Sequence, residues 1–119
     1  EPAHWVNRAL ARASLGDFEG TIADLDRALG LDPDEVEALV FRGSAYRAVG
    51  ALDRATDDAL QALLLEPDNM AGLWLAADVA RADGDAASAR SFLQRIVALD
   101  EAGWREQAEA ALKELNTEQ

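Results

Sequence analysis

Two arginines and two aspartates carry the most suggestive spacing in the sequence. Arg8 and Arg42 stand 34 positions apart, Asp24 and Asp58 repeat that interval, and each arginine precedes its aspartate by sixteen. A guanidinium is a permanent cation with a planar fork of donors, so it either takes an anionic group from outside or is held by a carboxylate inside the fold. Arg8 shares a helical face with Trp5 and Ala9, where a packing residue is expected. That placement asks for an internal partner.

Chemistry beyond ion pairing finds no support. There is no cysteine, so a cysteine nucleophile, a thiolate metal site and a disulfide are all excluded, and His4, the only histidine, reads as a surface residue with no second histidine to join. No phosphate-cradling run of the Gly-x-Gly-x-x-Gly or Gly-Lys-Ser/Thr type occurs. The acidic clusters Asp32-Pro33-Asp34-Glu35 and Asp83-Gly84-Asp85 lack the twelve-residue spacing of a calcium loop. They read instead as turns and helix starts, where aspartate caps backbone donors. The chain is therefore expected to be non-enzymatic, with no metal and no cofactor.

The elements that position the arginines are helices. Alanine and leucine dominate, aromatics are few and β-branched runs are nearly absent, which favours an all-α fold. With 119 residues, half of them apolar, one domain with one core is expected over residues 1–119. The 23 acids against 11 bases leave a net charge of −12, spread along the chain, which argues against nucleic acid and anionic membrane as partners. No apolar window is long enough to insert into a membrane, so a soluble cytoplasmic or periplasmic setting is expected. The start at Glu1-Pro2 without methionine suggests a piece of a longer protein. Ten arginines against one lysine suggest a GC-rich, bacterial source.

Gly16, Gly50 and Gly84 set the same period of 34, and other positions fall into columns beneath it. Trp5, Leu39 and Leu73 align, as do Ala9, Gly43 and Ala77, then Thr21, Ala55 and Ala89, then Leu25, Ala59 and Leu93. Leu31, Leu65 and Leu99 form another column. Pro33 and Pro67 close acidic turns, with Glu101 at the third such position. Each unit has a helical run before its glycine and a second after it, so it is a helical hairpin. The small residues recur where the two backbones must approach closely. The units span about 2–35, 36–69 and 70–103. A seventh helix over 104–116 places Trp104, Ala108, Ala111, Leu112 and Leu115 on one face and caps the open end.

A hairpin that turns at its glycine brings together residues equally distant from it. Eight before the glycines lie Arg8, Arg42 and Ala76; eight after lie Asp24, Asp58 and Phe92. The arginines face aspartates, and the unit without an arginine sets a small residue opposite a large one. This pairing predicts structural ion pairs Arg8–Asp24 and Arg42–Asp58 and a volume-matched Ala76–Phe92 contact. Arg12 has no evident partner.

These columns resemble the tetratricopeptide repeat family, whose pattern runs from a Trp-like residue through Leu-Gly and an aromatic to Ala-x3-Phe and a closing proline. The matching residues are Trp5 and Ala9; Leu39, Gly43, Tyr46, Ala55 and Pro67; Leu73, Ala77, Ala89 and Leu93. Arg8 and Arg42 depart from the family's leucine, Arg12 and Ala80 from its aromatic, and Glu101 from its proline. The resemblance covers residues 2 to 103 and implies a right-handed superhelix of three hairpins plus the capping helix.

The resemblance also implies that the first helices of successive units line a concave groove for a peptide. The stripe beside the packing face would supply Val6 and Leu10; Val40, Ser44 and Arg47; Trp74, Asp78 and Arg81; with Asn7, Phe41 and Leu75 alongside. Val40-Phe41 and Trp74-Leu75 are the expected anchors. Family members that clamp a chaperone's C-terminal carboxylate use lysines, an arginine and asparagines at positions where this chain has Val6, Leu10, Phe41, Ala71 and Leu75. A chaperone carboxylate is thus not the expected ligand, and an acidic rim would repel it. An apolar or amphipathic segment of a partner protein is expected instead, with self-association into a homo-oligomer, or docking on an upstream domain, as the alternative.

Overall fold

The computed structural model describes residues 2–99 and 103–117, and its described residues form seven α-helices and no strand. They are α1 (Pro2–Ser14), α2 (Phe18–Leu31), α3 (Val36–Ala48), α4 (Leu52–Leu65), α5 (Met70–Ala82), α6 (Ala86–Leu99) and α7 (Trp104–Thr117). Glu101, the third turn position, lies outside the described residues. Each helix packs on its chain neighbour and α3 also touches α5, so the first helices of successive units lie side by side. The array is elongated, 42 × 25 × 22 Å.

The period of 34 is written into the turns. Gly16, Gly50 and Gly84 all have φ of 81–82°, a left-handed conformation that a side chain would strain. Around each, the same two hydrogen bonds close the first helix. The amide after the glycine donates to Arg12, Tyr46 or Ala80, and the glycine's own amide donates to Ala13, Arg47 or Arg81. This glycine-terminated ending reverses the chain within two residues. The residue that completes it, Asp17, Ala51 or Asp85, also starts the next helix. Asp17 accepts from the Gly20 amide at 2.9 Å and Asp85 from Ser88 at 3.1 Å, whereas Ala51 has nothing to offer α4.

The small-residue columns mark close approach, as their pattern requires. A Cβ on Gly43 would stand 2.6 Å from Leu75 Cδ2, 3.2 Å from Asp58 Cβ and 3.4 Å from the Ala55 carbonyl oxygen, so a larger residue on α3 would have to displace the Leu75 side chain where α4 and α5 converge on it. Thr21 is buried and its hydroxyl reaches the Ala9 carbonyl oxygen at 3.2 Å across the first hairpin. The core is continuous through the units, with Leu25, Leu73, Ile96, Leu115 and Val79 its largest fully enclosed side chains. Leu115 and Ala108 bury the inner face of α7. Of the column Leu31, Leu65 and Leu99, only Leu65 packs half-buried against this core; Leu31 and Leu99 are exposed.

Candidate functional site

The hairpin geometry decides the arginine question first. Arg42 grips Asp58 with two hydrogen bonds, Nε to Oδ2 at 2.9 Å and Nη2 to Oδ1 at 2.7 Å. Its third donor, Nη1, reaches back to Asp26 of the preceding hairpin at 3.0 Å. The Asp58 bonds hold the guanidinium's pKa well above its ordinary value, against the opposing effect of burial. Arg8 meets Asp24 more loosely, with Nε 3.4 Å from Oδ2 and a side chain 48% exposed. Arg12, for which the sequence suggested no partner, supplies a second cation at the same 3.4 Å and donates to the Gly20 carbonyl. The enclosed Asp24 Oδ2 accepts no hydrogen bond from either. None of these arginines projects into the groove described next.

Between α3, α5 and α7 lies an open groove of about 320 Å³. Its walls are Val40, Phe41, Ser44 and Arg47 from α3, Ala71, Trp74, Leu75 and Asp78 from α5, and Trp104 from α7. The spacings 40/44/47 and 71/74/75/78 put each set on one helical face. Trp74 and Trp104 lie 6.2 Å apart at 55°, a tilted aromatic pair at the groove's far side. Arg47 Nε stands 3.3 Å from Asp78 Oδ2, a charge contact that spans the two helices. Beyond Val40, Phe41 and Ala71 the groove opens into a second space of about 410 Å³ flanked by Asp34, Glu35, Glu37 and Glu66. One end of the groove is therefore carboxylate-lined.

The remaining expected groove residues are distributed differently. Leu10 borders a smaller cleft of about 110 Å³ between α1 and α3, shared with Ala13, Phe41 and Ser44. Asn7 is exposed outside these spaces, and Val6 is buried in the core, so it presents no contact surface. Val40 and Leu75 are also buried; they form the floor between hairpins, while Phe41 and Trp74 keep part of their surface open. Arg81 turns toward the cap, with Nη1 3.0 Å from Glu114 Oε2. Trp104 is the wall residue that sequence reasoning missed, because its spacing with Ala108 and Leu112 assigned it to packing alone.

A stack of helical hairpins with one concave face built from alternate helices defines an α-helical repeat protein. Residues 5–35 match the family model described as "Tetratricopeptide repeat". Sperm-associated antigen 1 of Mus musculus is 40% identical over 63 residues, which are 53% of this chain and 7% of that protein. The chain therefore spans only a small part of the curated relative it matches. Among solved structures, the first TPR of Spaghetti (RPAP3) bound to an HSP90 peptide superposes with a TM-score of 0.90 at 16% identity, over 98% of this chain and 90% of that one. The Yersinia enterocolitica type III secretion chaperone SycD, in complex with a peptide of the translocator YopD, gives 0.88 at 16% identity over 98% and 92%. At that identity the likeness is one of fold. No described helix is long and apolar enough to cross a membrane.

Proposed function

We propose that the chain is a non-enzymatic protein-interaction module that receives a segment of a partner protein along the α3–α5–α7 groove. The observation that carries this is the groove itself, in which Phe41, Trp74 and Trp104 leave aromatic surface open over a floor of Val40 and Leu75. Half-exposed aromatics in a concave, largely apolar site are the usual anchors of an interface. Peptide-bound neighbours of the same fold support the reading. The groove of this chain differs from a carboxylate clamp, since Val6, Leu10, Phe41, Ala71 and Leu75 stand where the clamp needs cations and amides. Its carboxylate-lined end disfavours an acidic tail and suits an apolar or amphipathic segment.

Affinity capture from the native source with the wild-type chain, Trp74→Ala and Phe41→Glu tests this. A partner held by the first and lost from the other two supports the groove, and equal capture by all three places binding elsewhere. Sedimentation of the same three proteins separates self-association. A dimer abolished by Trp74→Ala would make the groove a contact between copies, and a strict monomer leaves it to another protein.

A further inference from the structure

The three hairpins share a register, and laying the third on the second shows a substitution that concerns a whole cluster. Around Arg42 the second unit gathers Asp26, Asp58, Tyr46 and Arg54. Two carboxylates hold the guanidinium, and both arginines lie over the Tyr46 ring, at 5.8 and 5.7 Å. Thirty-four residues on, those five positions read Leu60, Ala76, Ala80, Ser88 and Phe92. The aspartates have become large apolar residues, while the two arginines and the tyrosine have become alanine or serine. The expected Ala76–Phe92 packing does not fill the space thus lost. A cleft of about 210 Å³ remains, and all five substituted residues line it.

This cleft shares no residue with the groove. Its inner walls are Ala59, Leu60, Ala76, Ala80 and Phe92, and its remaining lining residues are Thr56, Ser88, Asp83 and Asp85. Leu60 is half exposed, and Leu64, one turn on, is more so, which extends the apolar surface along α4. No cationic side chain lines the cleft. Asp83 and Asp85 stand where the second unit has Val49 and Ala51, so the carboxylates lost from the interior reappear near the turn. The volume falls below the roughly 300–1,000 Å³ of small-molecule pockets, and suits a single inserted side chain.

We infer that this cleft is a second docking site, which accepts an aromatic side chain of a partner segment with an arginine or lysine beside it. The partner restores in trans what the third unit lacks: a ring where Tyr46 sits in the second, and a cation that Asp83 and Asp85 hold at the edge. An apolar ring enters apolar walls, and the neighbouring charge meets carboxylates in place of being buried.

The probe is a capped tetrapeptide with phenylalanine beside arginine, titrated into the ¹⁵N-labelled full chain, with a twin carrying glutamate in arginine's place. The expected result is saturable amide shifts at Leu60, Ala76, Ala80 and Phe92 with an affinity on the order of 1 mM, and about tenfold weaker binding of the twin. Ala80→Tyr puts the second unit's ring into the cleft and abolishes the shifts. Asp83→Asn, an exposed change that leaves packing alone, weakens the arginine peptide and leaves the twin unchanged or slightly tighter. Equal binding of the two peptides, shifts centred on Phe41 and Trp74, or full binding by Ala80→Tyr would overturn the proposal.

Discussion

Asp58→Ala is the perturbation that tests the arginine assignment most sharply. The Asp58 side chain is 6% exposed and accepts both hydrogen bonds of a two-point grip from Arg42, itself 23% exposed. Removing one partner of a fully enclosed pair costs roughly 3–5 kcal/mol, and an exposed pair contributes about 0–1 kcal/mol. Here the stranded guanidinium keeps Asp26 at 3.0 Å and some contact with water, so about 2–3 kcal/mol is expected. For a chain of this length that is a loss of roughly 6–15 °C in melting temperature. The assay is a double-mutant cycle of Asp58→Ala and Arg42→Ala by urea denaturation followed by circular dichroism. The coupling should exceed 1 kcal/mol and clearly exceed that of Arg8 with Asp24, where the arginine is half exposed and makes no hydrogen bond. Additive single-mutant losses, or equal coupling in the two cycles, would refute the reasoning.

Other expectations follow from the same repeat symmetry. Ala51 has φ −83° and ψ 70°, nearly those of the capping residue Asp17 at −85° and 74°, so Ala51→Asp should stabilise α4 by about 0.5–1 kcal/mol in a thermal melt. Gly43→Ala should destabilise by about 1–3 kcal/mol despite its better helix propensity, because the Leu75 and Asp58 side chains must shift to admit the methyl; Gly30→Ala, with nothing within 4 Å, should gain up to about 1 kcal/mol. Asp85 has its pKa lowered, first by its side-chain hydrogen bond to Ser88. A lowered folded-state value means that its support of α6 is intact above the ordinary aspartate pKa of about 3.9 and is lost as pH falls through the lowered one. Asp85→Asn should therefore flatten the acid limb of the stability curve below about pH 4, measured by circular dichroism across pH.

Much of this molecule was legible because it repeats itself. One sequence with three in-register copies supplies its own comparison, and the joint presence of Arg42 with Asp58, against Ala76 with Phe92, pointed to contact as an alignment of relatives would. The glycine turns were legible for a stricter reason: φ near +81° leaves few residues to choose from. Part of what escaped the reading lies between units. Symmetry about a glycine finds partners inside a hairpin, so it could not find Asp26 reaching forward to Arg42. The pairing of Arg12 with Asp24 was missed because eight-before, eight-after symmetry assigns each aspartate one partner only. Val6, Val40 and Leu75 were placed on an open stripe by helical spacing, but that stripe is where neighbouring hairpins meet, and they are buried there.

The exchange of Arg42's cluster for an apolar one bears on why the units differ at all. A partly buried ionic cluster adds specificity of register more than net stability, since desolvation offsets much of the attraction. The Arg42–Asp26 contact ties the first two units to each other, and the Asp58 grip fixes the guanidinium that makes it. The third is joined to the second by Arg47 on Asp78 and by the Arg95 hydrogen bond to the Pro67 carbonyl, and on its other side it is held by α7, by Arg81 on Glu114 and by the tilted pair of Trp74 with Trp104. Register at that end therefore does not need an ionic cluster at Ala76. The space that an arginine would otherwise fill is then free to stay open, and a surface that the array does not need for its own cohesion is one that a partner can use.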